Sequence, residues 1–164
     1  MEIRRAEPRD LEGIVDVHTR SSLAAYAELP APASAVTPDA RRRQWQAALA
    51  EAEACVWVAV EAGAIIGFCH LRLPAAPASA GESAEITTLY IVPELWRQGV
   101  GRALVNHARG TAASHGCSRI FLKVYAENAS ARAAYEAMGF AATAGTSVHQ
   151  RTGLLLREYE LVLG

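Results

Sequence analysis

One stretch, residues 85–124, limits the fold more than any other part of the chain. Glu85 to Val92, EITTLYIV, is β-branched and aromatic and predicts a strand. After Pro93 and a short turn, Gly99-Val100-Gly101 opens a helix in which Val100, Leu104 and Ala108 share a face and which Gly116 closes. RIFLKV then reads as a strand of near-continuous apolar character, buried on both faces. Strand, helix and strand in this order form a crossover between parallel neighbours, and such crossovers are right-handed.

The period alternates around this unit. Glu2 to Ala6 reads as an edge strand, and Pro8 and Asp10 start a helix carrying Leu11, Ile14, Val15 and His18 at helical spacing. Thr37 can cap a second helix from Pro38 to Ala54, with Trp45 and Leu49 on one side. CVWVAV and AIIGFCHLRL flank Glu-Ala-Gly as a hairpin. Asn128 to Met138 reads as a helix with Asn128 as cap and Gly139 as stop, and a final strand pair turns at Thr152 and Gly153. The Pro- and Ala-rich segments 29–38 and 74–83 are loops too short to link domains. The expectation is one α/β domain over residues 1–164, a mixed sheet of six to seven strands with about four helices. Its N-terminal part is antiparallel, and one parallel pair follows.

Sixteen basic residues against seventeen acidic ones leave a formal charge of −1, which argues against nucleic acid as a partner. No apolar run approaches the roughly 20 residues of a membrane span. The charged N-terminus lacks the apolar stretch of a secretory signal, so a cytoplasmic location is expected. Cys55, Cys69 and Cys117 lie in apolar stretches without zinc-like spacing; they read as buried free thiols, and no metal is expected. Arg41-Arg42-Arg43 spreads round a helix and reads as a solvated face.

The chemistry concentrates at Leu89-Tyr90-Ile91 and at Arg97-Gln98-Gly99-Val100-Gly101-Arg102. A strand handing over to a glycine-flanked helix start gathers unpaired N–H groups at the positive end of a helix dipole. Two glycines allow close approach, and Arg97 and Arg102 add charge: the pattern is an anion cradle suited to a diphosphate. A P-loop is excluded by the missing GxxxxGK[ST], and a dinucleotide fingerprint by Leu104 in the place of its third glycine.

Downstream, Asn128 and Tyr135 lie two helical turns apart, and Gly139-Phe140 follows. With these residues the chain closely resembles the GNAT superfamily of acyl-CoA-dependent N-acyltransferases. The family's pyrophosphate motif, Gln/Arg-x-x-Gly-x-Gly/Ala, falls on Trp96 to Gly101. Its second block falls on Asn128, Ala131, Tyr135, Gly139 and Phe140. Trp96 departs from the motif's first position, and Lys123 stands where some protein N-terminal acetyltransferases carry a catalytic glutamate.

The resemblance implies the GNAT fold, with its parallel pair at the cofactor cleft and acetyl-CoA as co-substrate. An acceptor amine of a small molecule or peptide attacks the thioester directly. It further implies a bulged strand at Leu89 to Ile91, parted from its neighbour, whose freed N–H polarises the thioester carbonyl. Tyr135 is the candidate acid for the leaving thiolate, either through a hydrogen bond or with a lowered pKa; its bland reading is a packed helix aromatic. Asn128 is equally a plain cap or a cofactor contact. The base is left open between Glu85, which by strand alternation shares a side with Thr87 and Leu89, His70 on the neighbouring strand, and water. The resemblance allows a homodimer, and a non-catalytic acyl-CoA-binding module is the competing reading.

Overall fold

Central strands buried at consecutive positions, as 66–69 are, need cover on both sides of a sheet, and the helices of this chain supply it. The computed structural model describes residues 1–29, 36–51, 55–75 and 81–164. Its strands are β1 (Glu2–Arg5), β2 (Cys55–Glu61), β3 (Ala64–Arg72), β4 (Ser83–Ile91), β5 (Arg119–Tyr125), β6 (Ala141–Val148) and β7 (Leu155–Val162). Its helices are α1 (Leu11–Ala25), α2 (Pro38–Ala50), α3 (Val100–Ser114) and α4 (Ala129–Ala137). The strands form one seven-stranded sheet in the order β1-β2-β3-β4-β5-β7-β6, and β4 with β5 is its parallel adjacent pair. Element order, the edge position of β1 and the sheet type agree with the sequence reading.

The two faces have different covers. On one, Phe68 of β3 packs edge-on against Trp45 of α2 and His18 of α1, and Tyr90 of β4 stacks on His18. On the other, Gly67 and Ile91 lie against Leu104 and Gly101 of α3. A Cβ at Gly67 would stand 3.1 Å from the Tyr90 carbonyl and 3.3 Å from Leu104, so only glycine lets β3, β4 and α3 come this close. Trp45, Phe68, Ile14, Leu104, Ile120 and Leu122 are fully buried between the layers. Cys55, Cys69 and Cys117 are buried free thiols, as expected.

Local signals account for most boundaries. Thr37 accepts from the Ala40 N–H and Asn128 from the Ala131 N–H, capping α2 and α4. Gly116 and Gly139 follow α3 and α4 with φ of 88° and 99°. Two expectations need correction. The second helix ends at Ala50 rather than Ala54, and residues 52–54 lie outside the described residues, as do 30–35 and 76–80 of the two loops. RIFLKV is not buried on both faces: Ile120, Leu122 and Val124 are buried while Arg119 and Lys123 are exposed, because its apolar residues in fact alternate.

One irregularity positions the site. In the β3–β4 ladder His70 pairs with Thr88 but Leu71 pairs with Ile86, so Thr87 is an extra residue, a β-bulge. The β4–β5 ladder covers Ser83 to Glu85 only, whereas β5 stays paired with β7 from Arg119 to Tyr125. Past Glu85 the two parallel strands part, and β4 presents an unpaired edge.

Candidate active site

The direction of that edge follows from one hydrogen bond. The Val92 N–H donates to the Ile66 carbonyl of β3 at 3.0 Å. Main-chain groups alternate sides along a strand, so those of Tyr90 also face β3, and those of Leu89 and Ile91 face the gap. The Ile91 carbonyl confirms this, since it accepts from Ser21 Oγ at 2.8 Å and Trp96 Nε1 at 2.7 Å instead of from a strand. The Leu89 amide thus points to where β5 has diverged.

At the end of β4 the chain builds the cradle. Leu95 and Trp96 N–H groups close a short 3-10 turn on Val92 and Pro93, and Ala103 N–H is the first to bond back into α3, to the Gly99 carbonyl. Between them, the N–H groups from Arg97 to Arg102 have no main-chain acceptor among the described residues. Arg97 (φ 64°) and Gly99 (φ 89°) are both left-handed, and this alternation turns successive amides toward one concave point. A Cβ on Gly99 would meet nothing within 4 Å, so the space in front is open. Gln98 and Arg102 have structural duties: Gln98 Nε2 donates to the Glu94 carbonyl at 3.0 Å, and Arg102 Nη2 ties α3 to the Ala137 carbonyl of α4 at 2.7 Å. The indole of Trp96 is spent on the Ile91 carbonyl.

Tyr135 comes from α4, packs edge-on against Phe140, and has Tyr26 and Cys69 as its electrostatic neighbours. This puts it at the level of Leu89, the strand partner of Cys69. Burial pushes its phenol well above the ordinary value, with Tyr26 and Cys69 adding to the effect. The shift is therefore upward, and the lowered-pKa option is overturned: a phenol away from water resists becoming phenolate. Tyr26 and Tyr90 share a hydrogen bond of 2.6 Å between their hydroxyls, and Tyr26 packs edge-on against Tyr125 of β5. Burial pushes the Tyr90 phenol up to about 12, although its bond to Tyr26 acts the other way. Four tyrosines thus gather where the strands part.

The family profile described as "Acetyltransferase (GNAT) family" matches residues 20–140, which take in this whole arrangement. The chain belongs to the GNAT acetyltransferase family. The GNAT chain is 37% identical over 59 residues to [Ribosomal protein bS18]-alanine N-acetyltransferase of Escherichia coli, a match covering 36% of this chain and 40% of that protein. It is 33% identical over 99 residues to aminoglycoside N(6')-acetyltransferase type 1 of Stenotrophomonas maltophilia, covering 58% and 65%. The matched regions are less than two thirds of these relatives' lengths. Among solved structures it superposes on the PaiA N-acetyltransferase of Thermoplasma acidophilum in complex with coenzyme A with a TM-score of 0.77 at 20% identity, covering 96% of both chains.

The GNAT site does not bring every expected residue together. Glu85 sits where β4 and β5 are still paired, bound to Arg72 Nη1 at 2.8 Å, beside an open depression of about 310 Å³. It is roughly 13 Å along the strand from Leu89 at ~3.3 Å per residue. Nor do Glu85 and Leu89 share a side. Leu89 follows Ile91 toward α3, whereas Glu85 pairs with Arg72 on the face of His70 and Trp45, because the Thr87 bulge shifts the alternation by one. His70 is nearer: it pairs with Thr88, next to Leu89, and its Nδ1 lies 3.0 Å from Thr87 Oγ1. Burial, with help from Arg72, lowers its pKa and leaves it neutral at neutral pH. Asn128 is a helix cap through its Oδ1, and Lys123 is exposed on β5.

The largest miss is Arg41. It is not solvated; only 4% of it is exposed, and its Nη2 donates to Ser22 Oγ at 2.9 Å. Three consecutive arginines carry no signal of which one turns inward. Only the packing of α2 on α1 through Trp45 and His18 decides it.

Proposed function

We propose that this chain transfers an acetyl group from acetyl-CoA to a primary amine by direct attack in a ternary complex. The observation that carries the reading is the joint presence of the parted β4–β5 edge and the amides from Arg97 to Arg102 at its mouth. Unpaired N–H groups at a helix start suit a diphosphate, and the open space before Gly99 leaves room for one. The extended arm of the co-substrate then lies along Leu89 to Ile91 as an added strand would, with the Leu89 N–H available to the thioester carbonyl. Relatives bearing N-acetyltransferase names and a neighbour described with coenzyme A support this.

Tyr135 serves as a hydrogen-bond donor to the departing thiolate. Its raised pKa keeps the proton on the phenol at every working pH, so the hydroxyl stabilises the departing sulfur by a hydrogen bond, and the thiolate takes its proton from solvent as the products leave. The proton of the attacking ammonium goes to His70 or to a water it holds, in preference to Glu85, which Arg72 neutralises away from the gap. Arg97, Gln98, Gly99, Val100, Gly101 and Arg102 hold the diphosphate chiefly by main chain, and Asn128 keeps α4 and thus Tyr135 in place. Such an enzyme works where acetyl-CoA is made, in the cytoplasm.

Two measurements test this. Calorimetry should show coenzyme A binding; a folded protein that ignores it at millimolar concentration refutes the reading. Tyr135→Phe should lower thiol release from acetyl-CoA by about 100-fold while coenzyme A affinity stays within about threefold. Wild-type turnover in this variant from pH 6 to 9 would remove Tyr135 from the chemistry.

A further inference from the structure

Arg41 is placed at unusual cost. It lies in the first turn of α2, where the helix dipole already disfavours a cation, and it is almost wholly buried. Only Nη2 has a hydrogen-bond partner; Nε is buried with none among the described residues. The acids of the surrounding helices are engaged elsewhere: Glu12 and Asp39 bind Arg42, and Asp16 and Glu94 bind Arg20. Among the described residues no carboxylate forms an ion pair with Arg41. The charged and titratable groups around it are Tyr90, Tyr26, His18 and Arg151, of which His18 is held neutral and the last is a second cation. Burial lowers its pKa, and among the described residues the guanidinium has no counter-charge, which a buried charge ordinarily has.

The place of this vacancy connects it to the reaction. Ser22, which holds Arg41, is one helical turn from Tyr26, and Tyr26 bonds Tyr90 on the strand that lines the gap. Arg41 therefore borders the α1/α2 side of the tyrosine cluster, and α3 with its cradle lies across the sheet. An acceptor that entered from this side to meet a thioester at Leu89 would bring its polar groups to the guanidinium, which is 4% exposed. We propose that the acceptor amine carries a carboxylate, and that Arg41 binds it. This rests on the acetyltransfer reading and specifies its acceptor class as α-amino acids or close relatives, in which amine and carboxylate are near neighbours. The planar guanidinium, whose Nε has no partner among the described residues, offers a carboxylate charge-assisted hydrogen bonds from Nε and from the adjacent Nη2, which has a second hydrogen beyond the one given to Ser22.

The test uses matched acceptors that differ at one group: alanine, alaninamide and ethylamine, then phenylalanine, phenylalaninamide and phenethylamine, each with acetyl-CoA and the full chain. Expected is a kcat/KM about 30- to 100-fold higher for the carboxylate of each set, as befits a charge-assisted bond. Arg41→Gln should shrink that ratio to within about threefold. Melting with coenzyme A present provides an equilibrium readout: millimolar amino acid should raise Tm, its amide should not, and Arg41→Gln should abolish the rise. Equal or better turnover of the amides overturns the proposal, as does a ratio that survives Arg41→Gln, or the lack of both turnover and Tm shift with all carboxylate acceptors. Arg41→Met separates binding from scaffolding. It should melt no lower than wild type, since it removes an unpaired buried charge, and a fall of several degrees would make Arg41 structural and also overturn the proposal. Failure of the acetyltransfer reading shows separately, as absent coenzyme A binding.

Discussion

Gly99 and Gly101 differ by two positions, yet a single methyl should act on them with opposite sign. Gly99 holds φ at +89°, and an added Cβ meets no atom within 4 Å, so its substitution is a purely conformational question. Forcing alanine into the left-handed region costs about 1–2 kcal/mol, and the stiffer unfolded chain returns about 0.4–1 of that. Gly99→Ala should therefore lose about 1 kcal/mol, or about 2–4 °C at this chain length. Gly101 lies inside α3 without positive φ, and its Cβ would stand 3.3 Å from the Ile91 Cδ1, the movable end of a side chain. Alanine there gains up to about 1 kcal/mol of helix propensity, less near a helix end, so about 0.5 is expected. Urea unfolding should separate the two variants by about 1.5 kcal/mol (the two figures added), with Gly99→Asn between wild type and Gly99→Ala because asparagine tolerates this backbone. Coenzyme A titration should show weaker binding for Gly99→Ala, whose methyl stands in the open space. If both alanines shift stability in the same direction, the left-handed cradle is not what orients these amides.

His18 accepts from Trp45 Nε1 at 2.9 Å and is held neutral, its pKa depressed to about 3 by burial first and by Arg41 second. The unfolded chain takes up this proton near pH 6.5 and the folded one does not, so stability should fall as pH drops from 6.5 toward 3, by at most about 1.4 kcal/mol per pH unit from this group. His70 and His149 are depressed too and add to the slope. Denaturation across this range should show a shallower slope in His18→Gln, and an unchanged one would remove His18 as a contributor. Gly67→Val would press on the Tyr90 carbonyl, Ile91 and Leu104; a loss of about 1–3 kcal/mol is expected, and calorimetry should show weakened coenzyme A binding because the parted edge of β4 moves. Wild-type stability in that variant would refute the close approach of β3, β4 and α3.

Local grammar made most of the framework legible. Thr37, Asn128, Gly116 and Gly139 mark helix ends through bonds and dihedrals that involve only near neighbours in the chain, so their residue types suffice. The cradle was legible for the same reason: a glycine pair opening a helix determines which amides stay unbonded. What escaped depended on distant partners. Thr87 and Thr88 look like any β-branched pair, and only the register against His70 and Leu71 makes one of them surplus. Hence Glu85 was expected on the side of Leu89, and lies opposite. Arg41 resembles Arg42 and Arg43, yet Arg42 is drawn outward by Glu12 and Asp39 while Arg41 is turned onto Ser22. The left-handed Arg97 carries no residue-level sign, since arginine does not favour that region.

The surplus threonine also makes β4 unforgiving of length changes. Glu85 and Tyr90 share a face although five positions separate them, an odd count that a regular pleat forbids. Delete one residue at 87 while the register against β3 is kept at Tyr90, and every side chain upstream inverts: Ile86 would be thrust among the helices that now shelter Trp45, and Glu85 driven against the apolar flank of α3. A frame slip of one here is worse than a poor substitution, because it swaps inside for outside along half a strand while leaving the composition almost untouched.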